Sequence, residues 1–173
     1  MADDQNTQDA IFRIVINADI NRVWRELTKT DEAQGAVFNA WMHATAMKPG
    51  GRMQMRTGSG KHVLVVGEIL EVDPPHRFVH SHRFTQYDDP VCQVAYELKP
   101  VAGGVEVTMR VRGMTAGTRT AKSMQQGGDM ILKSLKAIAE TGRPPLPTRL
   151  MYGAFALLEF ALPKRTRGEH WPL

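Results

Sequence analysis

From Trp41 to Arg112 short apolar runs of alternating polarity are repeatedly cut by turn-forming residues. "WMHATAMK" turns at "PGG" into "RMQMRT". "SGK" leads into "HVLVVGEILEV" and "DPPH" into "RFVHSHRF", and "VCQVAYELK" turns at "PVAGG" into "VEVTMRVR". A period of two sends successive side chains to opposite faces, while Gly, Pro and Asp at the breaks supply the backbone conformations of hairpin turns. The pattern predicts a continuous antiparallel sheet of about six strands, and "AIFRIVIN" at 10–17 adds a first strand to make about seven. No alternation of strand and helix suggests a parallel sheet.

On either side of this stretch the period becomes helical. Asp19 is placed to cap a short helix in which Ile20, Val23, Trp24 and Leu27 recur at i, i+3, i+4 and i+7, and "DEAQGAVF" at 31–38 predicts a second short helix interrupted by Gly35. Between Thr118 and Glu140, Met124, Gly128, Ile131, Leu135 and Ile138 form one stripe, with Lys122, Asp129, Lys133 and Lys136 left to water. Gly142 and "RPP" stop this long helix. The economical α+β arrangement wraps the curved sheet around the long helix, with the two short helices closing one end. A sheet that grips a helix leaves a concave apolar space, the usual setting for a small ligand.

At 173 residues the chain suits one domain with a sizeable core. The expected organisation is a flexible N-terminus at 1–9, a domain at 10–142, and a linker, apolar helix and basic tail at 143–173. The opening "MADDQNTQDA" is acidic and polar, without the hydrophobic region of a secretory signal, and the single cysteine, Cys92, has no partner for a disulfide. A cytoplasmic location is the expectation. Residues 143–173 carry five basic and two acidic side chains, so +3 of the formal net charge of +4 lies there. The nearly neutral body argues against nucleic acid as a partner, since such binding needs a broad basic face.

The stretch "FVHSHRF" at 78–84 poses the sharpest chemical question. On a strand, His80 and His82 share a face with Phe78 and Phe84, while Arg77, Val79, Ser81 and Arg83 take the other. Two aromatic residues flanking the pair mark the inward face, where neutral imidazoles can hydrogen-bond a ligand or move a proton. A metal site needs three or four converging donors, and only His43, Cys92 or Glu68 could join the pair, so no metal is expected. GxSxG, Walker, GxGxxG and HExxH patterns are absent, and "TGSGK" at 57–61 reads as a hairpin turn; no cofactor is expected. Met42, Met47, Met53, Met55, Met109, Met114, Met124 and Met130 suit a soft apolar cavity as well as an ordinary core.

"VWRELT" (23–28), Trp41 followed by "KPGGRMQMR" (48–56), "GEILEVDPPHRFV" (67–79) and "GGDMILKSLKAIAETG" (127–142) together resemble the START-like, or SRPBCC, helix-grip superfamily, in its branch related to activators of the heat-shock chaperone ATPase (AHSA-type). The resemblance spans roughly residues 10–142 and implies the helix-grip fold. That fold hosts lipid carriers, hormone receptors, polyketide cyclases and chaperone cofactors, so it does not select a function by itself. Asp129 stands where members commonly have Trp after the glycine at 128, and the apolar tail is an addition to the shortest members.

The reading that follows is a binder of a small hydrophobic molecule, lipid or polyketide-like, between sheet and long helix. Its candidate ligand-binding residues are Trp41, His43, Met55, Phe78, His80, His82, Phe84, Tyr96, Met124 and Ile131. The alternatives are a cyclase- or lyase-like enzyme using His80 or His82 as acid or base, and a chaperone cofactor. The helix expected at 149–162 is apolar nearly all round and too short to span a bilayer. It is expected to pack on its own domain or on a twin subunit, or else to lie on a membrane or over the cavity mouth.

Overall fold

In the computed structural model, residues 6–173 are described. Seven strands form one sheet: β1 (Thr7–Ile16), β2 (Trp41–Ala44), β3 (Arg52–Arg56), β4 (Val63–Asp73), β5 (Arg77–Phe84), β6 (Cys92–Val101) and β7 (Gly104–Thr115). Their order is β1-β7-β6-β5-β4-β3-β2, and every pairing is antiparallel. Consecutive strands from β2 to β7 are therefore neighbours, as hairpin punctuation requires, and β1 closes onto the last of them. Register shifts at Gln8/Ala10, Met55/Arg56 and Ile69/Glu71 bend the sheet.

Besides a C-terminal helix, two helices accompany these strands, α1 (Ile20–Thr28) and α2 (Arg119–Thr141). The Asp19 carboxylate accepts from Asn21 N at 2.9 Å and the Thr118 hydroxyl from Ala121 N at 3.2 Å, each satisfying a donor that the first turn leaves free. Gly142, at φ 84°, ends α2 in the left-handed conformation, its N–H donating to Ile138. The α2 stripe of Met124, Gly128, Ile131, Leu135 and Ile138 is buried against the concave side of the sheet. This is the helix-grip α+β fold.

Three expectations are corrected. Residues 31–38 form a run of turns rather than a second helix. The Gln34 side-chain amide donates to Leu27 O and Lys29 O, carbonyls at the end of α1, and Gln34 pairs with Ala40 as a bridge, so this segment caps α1 and folds back. Phe38 and Asn39 both have positive φ, which no helix tolerates. β1 begins at Thr7, inside the stretch expected to be flexible; residues 1–5 lie outside those described. The C-terminal helix α3 spans Leu146–Leu157, starting and ending earlier than expected, and gives way to three short 3-10 turns at 159–161, 164–166 and 168–170. Pro147 at its first turn suits a helix start.

Candidate ligand cavity

The face of β5 that carries Phe78, His80, His82 and Phe84 is turned inward, and all four are buried. Their rings form a ladder continued by half-buried Trp24 at one end and Tyr87 at the other. Centroid separations run 6.4 Å (Trp24 to Phe78), 5.4 Å, 5.8 Å, 4.7 Å and 5.7 Å (Phe84 to Tyr87). On the neighbouring strand Tyr96 stands opposite Phe78 and Val94 opposite His80.

Between this ladder and α2 lies a cavity whose free space is ≈ 50 Å³. Its wall includes eight of the ten predicted residues: Met55, Phe78, His80, His82, Phe84, Tyr96, Met124 and Ile131. Trp41 and His43 are not among them. They share one face of β2, but it is the outer face: His43 is exposed, and the buried residue of that strand is Met42 between them. Met42 pairs across the strands with Met55 and so shares its side. The same parity brings in Val65 and also Met53 and Met109, two of the methionines that suited cavity and core alike in the sequence, and the turn segment contributes Gln34, Val37 and Phe38, which did not stand out there.

The chemistry of the wall is set by burial. His80 Nδ1 lies 2.8 Å from the backbone oxygen of Ser81, which fixes the tautomer with Nδ1–H donating and leaves Nε2 as an acceptor. Burial drives its imidazole down to about 4, the bond to Ser81 only partly opposing this. His82 is driven down to about 3, again by burial first and then by the neighbouring His80 ring, and its buried Nε2 has no hydrogen-bond partner among the described residues. Both rings are therefore neutral near pH 7. Burial also pushes the Tyr96 phenol above its usual range and the Cys92 thiol up to about 11, the thiol donating to His82 O. No group of three His, Cys, Asp or Glu side chains among the described residues converges on a point that could hold a metal ion. The arrangement is an aromatic and methionine-lined space with a few neutral hydrogen-bonding groups.

The sequence profile of the family described as Activator of Hsp90 ATPase homolog 1-like protein matches residues 17–140. The chain belongs to this family. Within the SRPBCC superfamily it stands in the AHSA-type branch, and the matched region contains every cavity residue named above. Among solved structures, CalU16 from Micromonospora echinospora superposes with a TM-score of 0.62 at 17% identity, over 90% of this chain and 88% of that one. The Aha1 dimer from Colwellia psychrerythraea gives 0.62 at 16% identity, covering 78% and 98%. DynU16, from the dynemicin biosynthetic locus, gives 0.60 at 21% identity, covering 79% of this chain and 48% of its own. At such identities these likenesses establish the fold alone. A comparison with curated protein sequences finds no significant match.

Proposed function

We propose that the protein binds a small, largely apolar molecule between the sheet and α2, with His80 and His82 supplying hydrogen bonds. The observation that carries this reading is a pair of neutral, buried imidazoles in an apolar wall, one of them with a nitrogen that has no partner among the described residues. Such groups cost stability where they stand, and a ligand polar atom that meets them offsets the cost. DynU16's place in a biosynthetic locus supports a biosynthetic intermediate, lipid or polyketide-like, as the ligand class.

An acid–base enzyme is the weaker alternative. A proton carrier works best with a pKa near the operating pH, and imidazoles at about 4 and about 3 hold almost no proton at neutrality. A chaperone-cofactor role rests on the family description; stimulation of a purified chaperone's ATPase would support it.

Native mass spectrometry of the protein purified from cells without detergent tests the binding reading. The expected result is a bound organic mass of a few hundred daltons. Replacing His80 and His82 together with Phe should weaken that ligand by at least tenfold, since each lost hydrogen bond contributes about 1 kcal/mol. Affinity unchanged in a folded double variant would sink the assigned role of the pair.

A further inference from the structure

α3 has one side on the protein and the other in water. Thr148 is buried and the Tyr152 hydroxyl donates to Gly35 O at 2.9 Å, so that face is fixed to the turn segment beside the cavity. At about 100° per residue, Leu146, Leu150 and Leu157 fall within about 40° of one another on the opposite face. They are 62%, 67% and 79% exposed, and Phe160, just beyond, is 83% exposed. A face that holds several large apolar side chains in water is rare on a monomer unless it meets something.

What it meets is indicated by the charge beside it. The Glu159 carboxylate accepts from Thr57 and Ser59, which pins the chain to the β3–β4 turn and leaves Phe160 standing outward. The His62 ring and the Thr166 hydroxyl, 2.8 Å apart, hold the following residues down. Between turn and tail lies an open groove of ≈ 790 Å³, lined by Arg56, Lys61, Lys164 and Arg167 with Phe160 and Leu162 at its edge. Glu169 is the only acid in its lining, and neither Lys61 nor Lys164 makes an ion pair with a described residue.

We infer that α3 and the basic groove form a docking surface for an anionic lipid bilayer. The leucine row and Phe160 enter the acyl boundary, and the groove receives the negatively charged headgroups. A second copy of the chain fits the same surface less well. A two-fold contact joins the same patch of both subunits, and residues 143–173, with five basic and two acidic side chains, would bring two net-positive surfaces together. Because the other face of α3 is tied to Gly35, next to cavity-lining Gln34, docking holds the turn segment one helix diameter, ~10 Å, from the bilayer.

Co-sedimentation with vesicles of phosphatidylcholine alone, or of phosphatidylcholine mixed with phosphatidylserine, tests this, with light scattering in parallel. Binding is expected to the mixed vesicles only, falling as salt screens the charges. Leu157→Glu with Phe160→Glu should abolish it. Lys164→Ser with Arg167→Ser should weaken it about twenty-five-fold, at roughly fivefold per basic side chain. All four positions are exposed or at the surface, and circular dichroism checks that each variant folds. Failure to sediment with mixed vesicles, equal binding to neutral ones, or a dimer dispersed by the glutamate pair would each overturn the proposal, the last in favour of a second copy.

Discussion

His80 and His82 are inexpensive as packing and costly as titratable groups. Folded, they resist protonation until the pH falls to about 4 and about 3, whereas in the unfolded chain they take up protons near 6.5. Between those values the unfolded state binds more protons, so stability must fall as pH drops below about 6.5 and stop falling only below the folded values. Two such groups give a slope of about 2.7 kcal/mol per pH unit between roughly pH 6 and pH 4.5. Urea unfolding across that window should show a steep loss of stability in the wild type and a shallow one in the His80→Phe, His82→Phe variant. Equal slopes would mean that the rings reach water in the folded state. The pair was legible in the sequence because Phe78 and Phe84 share its face, and that face could hardly be other than inner. The choice of Trp41 and His43 failed for a reason of the same kind. A strand of four residues carries too short an alternation to say which parity is buried, and only its register with Met55 settles the matter.

At the level of elements, hairpin punctuation reads reliably because Gly and Pro dictate backbone angles locally, and the six strands from β2 to β7 follow it. The 31–38 segment does not, since what holds it is the Gln34 amide reaching back to the end of α1, a contact with no periodicity to betray it. One strand-to-strand contact has a direct consequence for the cavity. Where β4 passes β5, a Cβ on Gly67 would collide with the backbone oxygen of Ser81, the same oxygen that accepts from His80 Nδ1. Gly67→Ala must therefore displace β5 or lose pairing, and the expected cost is about 3 kcal/mol in denaturant unfolding. It should also loosen the His80 ring from Ser81, visible as a shift of its imidazole resonances and, with the bond that favours the charged form lost, a further fall of its pKa. A variant as stable as wild type with an unmoved His80 signal would show that the two strands can separate without disturbing the site.

At the scale of the whole molecule, the helix-grip architecture makes a cavity but leaves it nearly closed. Free space of ≈ 50 Å³ holds a few water molecules, well short of the several hundred of a typical ligand site, so binding requires the wall to yield. The wall is suited to that: Met42, Met53, Met55, Met109 and Met124 line it, each with three rotatable bonds, and Phe38 sits there at φ 54°, a backbone state unusual for an aromatic residue. Cavity volume is a sum over seven strands and a helix, which no local pattern in the sequence encodes. Gly127 offers a way to separate stability from function at this scale. It lies within α2 and lines the cavity, and a Cβ built on it has no heavy atom within 4 Å. Gly127→Ala should therefore stabilise the helix by about 1 kcal/mol, raising Tm by a few degrees, with little change in ligand affinity. Gly127→Leu should keep that gain yet fill the space a ligand needs, so that Tm rises while the ligand-bound mass disappears. If the leucine variant binds as the wild type does, the ligand lies elsewhere; if it loses binding only by unfolding, the wall is too rigid to accept a ligand by yielding.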